Sequence, residues 1–301
     1  MPIFTLEFFG MILQVMGLVE ESDLAFHFGR HLLEERSESV RTAVSLHFAS
    51  HTGVGQVGRE VRVLDGEGRV LRRWAYHGIG GIPPVLPPFA VMEHPYAVVQ
   101  AAVLAKGAGV VALVGGIGSP RNCVALALGA RGWRMVSGQY LVVDRVTGET
   151  LPYQLPLELR GPALEAARAA GLTDDPGSDV RTVCSPLTGP SVMVRPERLI
   201  TTADIRERLG PATLVRLCST GAQRSRLEDW NFAASVWPPD ASADPAFAAT
   251  PRMRLLLPES GAAEEAADLL DGRLTATTPK GTAPCPAAPP TLTELLAGST
   301  T

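Results

Sequence analysis

Residues 107–144 read GAGVVALVGGIGSPRNCVALALGARGWRMVSGQYLVVD. A hydrophobic run, Val110–Val114, predicts a buried strand that enters Gly115-Gly116-Ile117-Gly118. An alanine- and leucine-rich helix is expected from Asn122 to Arg131. Glycines let backbone N–H groups approach an anion closely, and the positive end of a helix favours one there. Tight turns need glycine for other reasons, so the pattern by itself leaves both readings standing. Gly115, Gly116, Gly118, Arg121 and Asn122 are the candidate nucleotide- or anion-binding residues.

Downstream, strands are expected at Met135–Val136 and Tyr140–Asp144, then a turn at Thr147-Gly148-Glu149 and another strand. A short helix is expected over Pro162–Ala170, and the run Val192–Val194, Ala203–Leu209, Thr213–Cys218 reads as strand, helix, strand. Trp237–Thr250 reads as a loop, Arg252–Leu257 as a strand and Gly261–Leu270 as a helix. This alternation predicts an α/β core, a sheet packed with helices. Upstream, Glu93–Lys106 reads as a helix leading to a short strand. The N-terminal part reads as α+β: Phe4–Val19 β-like, Asp23–Glu35 helical after a possible N-cap at Ser22, and Val40–Ala49 a strand. Glu60–Leu64 and Val70–Tyr76 flank Asp65-Gly66-Glu67-Gly68, a hairpin signal. Gly78–Pro88 is a Gly/Pro-rich connection that suits neither helix nor central strand. The expected organisation is an N-terminal α+β part over 1–88, a core over 89–274, and a Thr/Ala/Pro-rich flexible tail over 275–301.

Of 301 residues, 46 % are apolar and 19 % charged, the balance of a globular chain. A net charge of −4 gives no electrostatic case for nucleic acid or an anionic membrane. Basic charge is almost all arginine. Lys106 and Lys280 are the only lysines, so a lysine catalyst has almost nowhere to come from. Cys123, Cys184, Cys218 and Cys285 stand far apart, as suits reduced thiols in a cytoplasmic protein. The apolar stretch Phe8–Val19 is too short to span a bilayer and lacks signal-peptide features.

The order of features resembles the HPr kinase/phosphorylase-like P-loop family. The likeness is carried by Val99-Gln100-Ala101-Ala102, Ala125-Leu126-Ala127-Leu128, Arg131-Gly132, Leu141-Val142-Val143-Asp144, Leu151-Pro152-Tyr153, Pro156-Leu157 and Leu159-Arg160. It covers residues 93–160 well and extends more faintly towards Leu257. It implies a P-loop core with additional antiparallel strands. The departures fall on the chemistry. In the family's G-x-x-x-x-G-K-S/T loop the first glycine matches Gly115, but the second falls on Pro120, the lysine on Arg121 and the hydroxyl residue on Asn122. Proline has no N–H to give a phosphate, arginine differs from lysine in reach and shape, and asparagine is a poor ligand for Mg²⁺. The family's paired aspartates fall near Gly138-Gln139, neither of which can act as a base or carboxylate ligand.

The resemblance therefore implies a catalytically inactive accessory protein with no catalytic residue, metal site or cofactor of its own. Divergent members of the family act in bacterial pathways that modify ribosomal peptides. A precursor peptide or a tailoring enzyme is the expected partner, in pathways that include the daptide type, and an oligomer is left open. The alternative, using the altered loop at Gly115–Asn122, is a nucleotide-dependent kinase, with ATP and Mg²⁺ bound and Asp144 or Glu149 holding the metal, or a nucleotide/anion sensor without turnover.

Other constellations read more blandly. His27 and His31 share one face of the first expected helix, as metal ligands would, but a solvated or partly packed pair is the favoured reading, because the sequence places no third ligand. His47 and His51 straddle a strand end. No G-x-S-x-G elbow is present. In Gln223–Phe232, QRSRLEDWNF, the residues Arg224, Arg226 and Trp230 are of types that anchor interfaces. Trp237, before two prolines, is a fourth interface candidate.

Overall fold

In a computed structural model of the chain, the apolar N-terminal stretch folds as two antiparallel strands, β1 (Ile3–Phe8) and β2 (Met11–Gly17). They meet at Phe9 and Gly10, whose φ angles are 57° and 83°. Two successive positive φ values make the tight turn whose twist matches a hairpin. The structure describes residues 3–17, 20–33, 44–53, 56–65, 67–76, 96–115, 119–169, 179–185, 189–220, 223–230, 247, 250–258 and 262–276. The expected connection at Gly78–Pro88, most of the loop at Trp237–Thr250 and the tail beyond Ala276 lie outside these. Contacts divide the chain into two units, Met1–His94 with Val183–Pro190, and Pro95–Thr182 with Ser191–Thr301.

In the first unit, α1 (Glu21–Phe28) connects β2 to β3 (Val44–Gly53), which runs parallel to it. β4 (Gln56–Asp65) and β5 (Val70–Tyr76) complete a sheet in the order β1-β2-β3-β4-β5. The Asp65 carboxylate accepts the N–H groups of Glu67 and Arg69, both at 2.9 Å, and closes the expected β4–β5 hairpin. Leu6, Phe8, Leu13, Val15, Val61 and Val63 are buried, and Phe28 of α1 meets Phe8 edge-on with ring centroids 5.9 Å apart.

The first helix is shorter than its periodicity suggests. It stops at Phe28, a 3-10 turn follows over Gly29–His31, and Leu32 then bridges to Leu6 while the Leu33 N–H donates to the Thr5 carbonyl at 2.9 Å. The β1 edge thus claims residues that a longer helix would have kept. His27 and His31 are both buried, which corrects the solvated or partly packed reading. His31 stacks on Phe8 at 4.5 Å with Nδ1 2.9 Å from the Glu7 carbonyl oxygen. Burial pushes its pKa down to about 4, so the ring is neutral near pH 7 and Nδ1–H donates. Side chains at His47 and His51, on β3, lie outside the described ones.

The second unit is mixed α/β with few helices. Its six-stranded sheet has the order β16-β17-β15-β8-β7-β9, formed by β7 (Ala102–Lys106), β8 (Gly109–Val114), β9 (Arg134–Ser137), β15 (Thr213–Ser219), β16 (Arg226–Asp229) and β17 (Arg252–Leu257). β8, β15 and β17 are parallel; β7, β9 and β16 are antiparallel to their neighbours. One face packs on α2 (Arg121–Ala130), α3 (Gly161–Ala169) and α4 (Ala263–Ala276). The other face packs on a three-stranded sheet of β6 (Tyr96–Gln100), β10 (Tyr140–Asp144) and β11 (Thr150–Leu151). A further small sheet holds β12 (Leu157–Leu159), β14 (Gly189–Val194) and β13 (Val180–Ser185) in that order.

Within the expected helix over Glu93–Lys106, the described residues 96–106 instead form two strands of different sheets, β6 and β7. Ala102 and Leu104 enter the helix-side core while Val103 and Ala105 enter the opposite one. A strand buried on both faces shows no polar alternation, so its apolar run looks helical. Ala203–Leu209, also expected as a helix, is a turn segment. Thr202 bridges to Met135, Leu209 bridges to Thr150, and the Asp204 carboxylate accepts the Arg206 N–H at 2.8 Å. Among the described residues no helix is long and apolar enough to cross a membrane.

Candidate functional site

The strand–glycine–helix unit ends β8 at Val114 and begins α2 at Arg121. Its parallel pairing with β15 puts the end of β8 in the middle of the six-stranded sheet. Gly116 and Gly118 lie outside the described residues. Gly115 is described, and a Cβ there would come within 2.8 Å of the Ser119 Cβ. The entry into α2 folds tightly over Gly115, so close packing accounts for this glycine with or without an anion. Pro120 occupies the N-cap position; the helix has no side-chain cap and no acidic residue in its first turn.

Asn122 turns to the neighbouring strand β12, and Arg121 lies within the electrostatic reach of Tyr140 and Glu158. Asn122 donates from Nδ2 to the Glu158 carbonyl at 2.5 Å, while its Oδ1 is buried without a hydrogen-bond partner. The Arg121 guanidinium has its pKa lowered by burial, an effect that the Tyr140 and Glu158 side chains oppose. It still carries its charge at neutral pH. Among the described residues it makes no hydrogen bond or ion pair. Glu158 is held by Arg160 and by the Ser191 hydroxyl, the latter at 2.7 Å. Cys123, the next residue of α2, is buried, and burial raises its thiol pKa, so it is not a ready nucleophile.

Gly138 and Gln139, where the resemblance puts its two aspartates, sit in the bend between β9 and β10. A Cβ on Gly138 would lie 2.9 Å from Leu157 Cδ2 and 3.3 Å from the Leu155 carbonyl oxygen. Both contacts are tight, so any side chain at this position would require Leu157 to shift. The Gln139 side-chain amide donates to the Pro156 carbonyl at 3.0 Å, and the Gln139 backbone carbonyl accepts the Ala101 N–H at 2.9 Å. Asp144 ends β10 as a turn former: its carboxylate accepts the N–H groups of Val146 at 2.8 Å and Thr147 at 3.3 Å. Despite partial burial, which opposes ionisation, these bonds and Arg208 hold its pKa below the usual carboxylate value. Arg208 also pairs with Glu149 at 3.0 Å.

A scan against protein-family models finds no match for this chain, and a search of curated proteins finds none either. The site therefore rests on its own geometry.

The four interface candidates separate. Trp230 is buried, with the Arg216 guanidinium 5.4 Å from its ring centroid. It belongs to the same core as Phe247. Arg226 is exposed on β16 and pairs with Glu228. Arg224 is exposed just before it, and Trp237 lies outside the described residues. Sequence reasoning missed the strands β12, β13 and β16. It also missed Glu158, whose backbone and side chain both bear on the start of α2. The only sequence signal for Glu158 was its alternation with Leu157 and Leu159, too short to read as a strand.

Proposed function

We propose that this chain is a catalytically inactive HPr-kinase-like protein, a cytoplasmic binding component for a precursor peptide, a tailoring enzyme or both. The setting is bacterial ribosomal-peptide biosynthesis, with daptide-type pathways the specific case. The observation that carries the inactive reading is the tightly packed bend at Gly138-Gln139, which offers no carboxylate. Phosphoryl transfer works by positioning charge around the transferring group. Near where the resemblance puts its two aspartates, this chain has Gly138, packed closely on Leu157 and Leu155, and Gln139, whose side-chain amide is engaged with Pro156. The peptide partner comes from the family resemblance.

The deciding experiment is calorimetric titration of the whole chain with ATP and with GTP, each with and without Mg²⁺. The expected result is no heat of binding at millimolar nucleotide. Mg²⁺-dependent binding that disappears in Arg121→Ala would overturn the inactive reading.

One observation favours a second reading, an anion sensor without turnover. Arg121 is a partly buried cation with no ion pair among the described residues, at a helix start with no acidic neighbour in its first turn. Binding of inorganic phosphate or nucleotide without Mg²⁺, lost in Arg121→Ala and unaccompanied by hydrolysis, would select it.

A further inference from the structure

The five-stranded sheet ends in β5, whose described side chains, Val70 to Arg73, are exposed. β5 pairs with β4 on one side, and among the described residues no strand lies on the other. Val70 and Leu71 are 54 % and 51 % exposed, and Arg72 and Arg73 are exposed beside them. Nearby arginines are already neutralised: Arg69 by Asp65 and Glu67, and Arg62, which faces Arg73 across the hairpin, by Glu60. Arg72 and Arg73 make no hydrogen bond or ion pair among the described residues. The register slips between Val63 and Leu64, which leaves Leu71 as the extra residue of a bulge.

A second copy of the chain is a poor occupant. Two β5 strands paired antiparallel about a two-fold axis would bring the Arg72-Arg73 pairs of both copies together, and like charges opposite one another destabilise a sheet. The complementary occupant is acidic. Successive residues of a strand point to opposite faces, so Arg72 and Arg73 present one cation on each face. A strand with two consecutive acidic residues satisfies both, and apolar residues next to that pair cover Val70 and Leu71.

We propose that β5 is a docking edge for an extended acidic peptide, added as a further strand with adjacent carboxylates paired to Arg72 and Arg73. Backbone hydrogen bonds would supply the register and the guanidinium–carboxylate pairs the selection. This rests on the peptide-binding reading above and gives that peptide a chemistry and a place.

The test is fluorescence anisotropy of the full chain with three labelled decapeptides. One carries an adjacent Glu-Glu pair flanked by Val and Leu, one replaces that pair with Lys-Lys, and one with Ser-Ser. The Glu-Glu peptide should bind best and weaken with added salt. R72E/R73E should bind it at least about tenfold more weakly while binding the Lys-Lys peptide better than the unaltered chain does. Both arginines are exposed, so an unchanged melting temperature will confirm that the double variant is folded. Equal binding of all three peptides, or of the Glu-Glu peptide by both proteins, overturns the proposal. So does protection from hydrogen exchange at the outward amides of β5 in the free protein, which would mean that the edge is already covered. Binding of the Lys-Lys or Ser-Ser peptide alone would overturn the β5 assignment and leave peptide binding standing. Mg²⁺-dependent nucleotide binding in the calorimetry would overturn the inactive reading and leave the anisotropy result standing.

Discussion

The two ends of α2 are built to opposite standards. At its C-terminal end, Arg131 is 7 % exposed and donates to the Ala127 carbonyl, Glu264 and Asp268, at 2.7 to 2.8 Å. Lys106 donates to the Arg131 carbonyl and to Asp271, both at 2.8 Å, and Trp133 donates to the same carboxylate at 2.7 Å. Cations sit where the helix dipole is negative, and three acids from α4 balance them. At the N-terminal end, Arg121 has no such partner among the described residues, the Asn122 Oδ1 is buried and unsatisfied, and the cap is a proline. Each unsatisfied buried polar group costs about 1–3 kcal/mol. The difference teaches that one end of the helix fastens α4 to the sheet, while the other keeps a polarity that stability alone would remove.

Three measurements break or sharpen this contrast. The largest effect is expected from Trp133→Ala, which opens a cavity beneath the fastened end and should lower stability by about 4 kcal/mol in chemical denaturation. A loss below about 1 kcal/mol would mean that the fastening carries little of the fold.

An acid titration comes next, because His31 shows how a buried base in the other unit escapes the difficulty facing Arg121. Its folded pKa of about 4 lies below the ordinary histidine value of 6.5. The unfolded chain therefore binds the extra proton between these values, and stability rises with pH through that window. As pH falls from about 6.5 towards about 4, stability should decrease by an amount on the order of 3 kcal/mol. Denaturation midpoints that decline as steeply in His31→Gln as in the unaltered chain would remove this explanation.

The smallest effect is expected from Arg121→Ala. Removing a partly buried cation without an ion pair should shift stability by no more than about 0.5 kcal/mol, or raise it. A loss of 2 kcal/mol or more, about the cost of breaking a buried charged bond, would show that this end is fastened too.

Many strands were legible because local chemistry and final environment agree. Val70–Tyr76, Tyr140–Asp144 and Arg252–Leu257 are strands with the bounds the residues suggested. Asp65 starts the turn its side chain favours. The failures have a common cause in partners distant along the chain. Tyr96–Gln100 is a strand because Tyr140–Asp144 lies beside it, and Ala102–Lys106 because β8 and β9 flank it. Arg121 and Asn122 could be located from spacing, but not their common neighbour Glu158, on a three-residue strand. Trp230, between charged residues, had the look of a surface anchor. Its burial depends on Arg216 and Phe247, from other parts of the sheet and chain.

The parallel pairing of β8 has a consequence for how the chain is made. Its antiparallel partner β7 is a near neighbour, and that hairpin can close as soon as both strands leave the ribosome. On the other side Val111 pairs with Thr213, and translation at about 5–20 residues per second delays that partner by roughly 5–20 s. During that interval the nascent chain presents a bare apolar strand edge, the kind of surface on which chaperones act and aggregates begin.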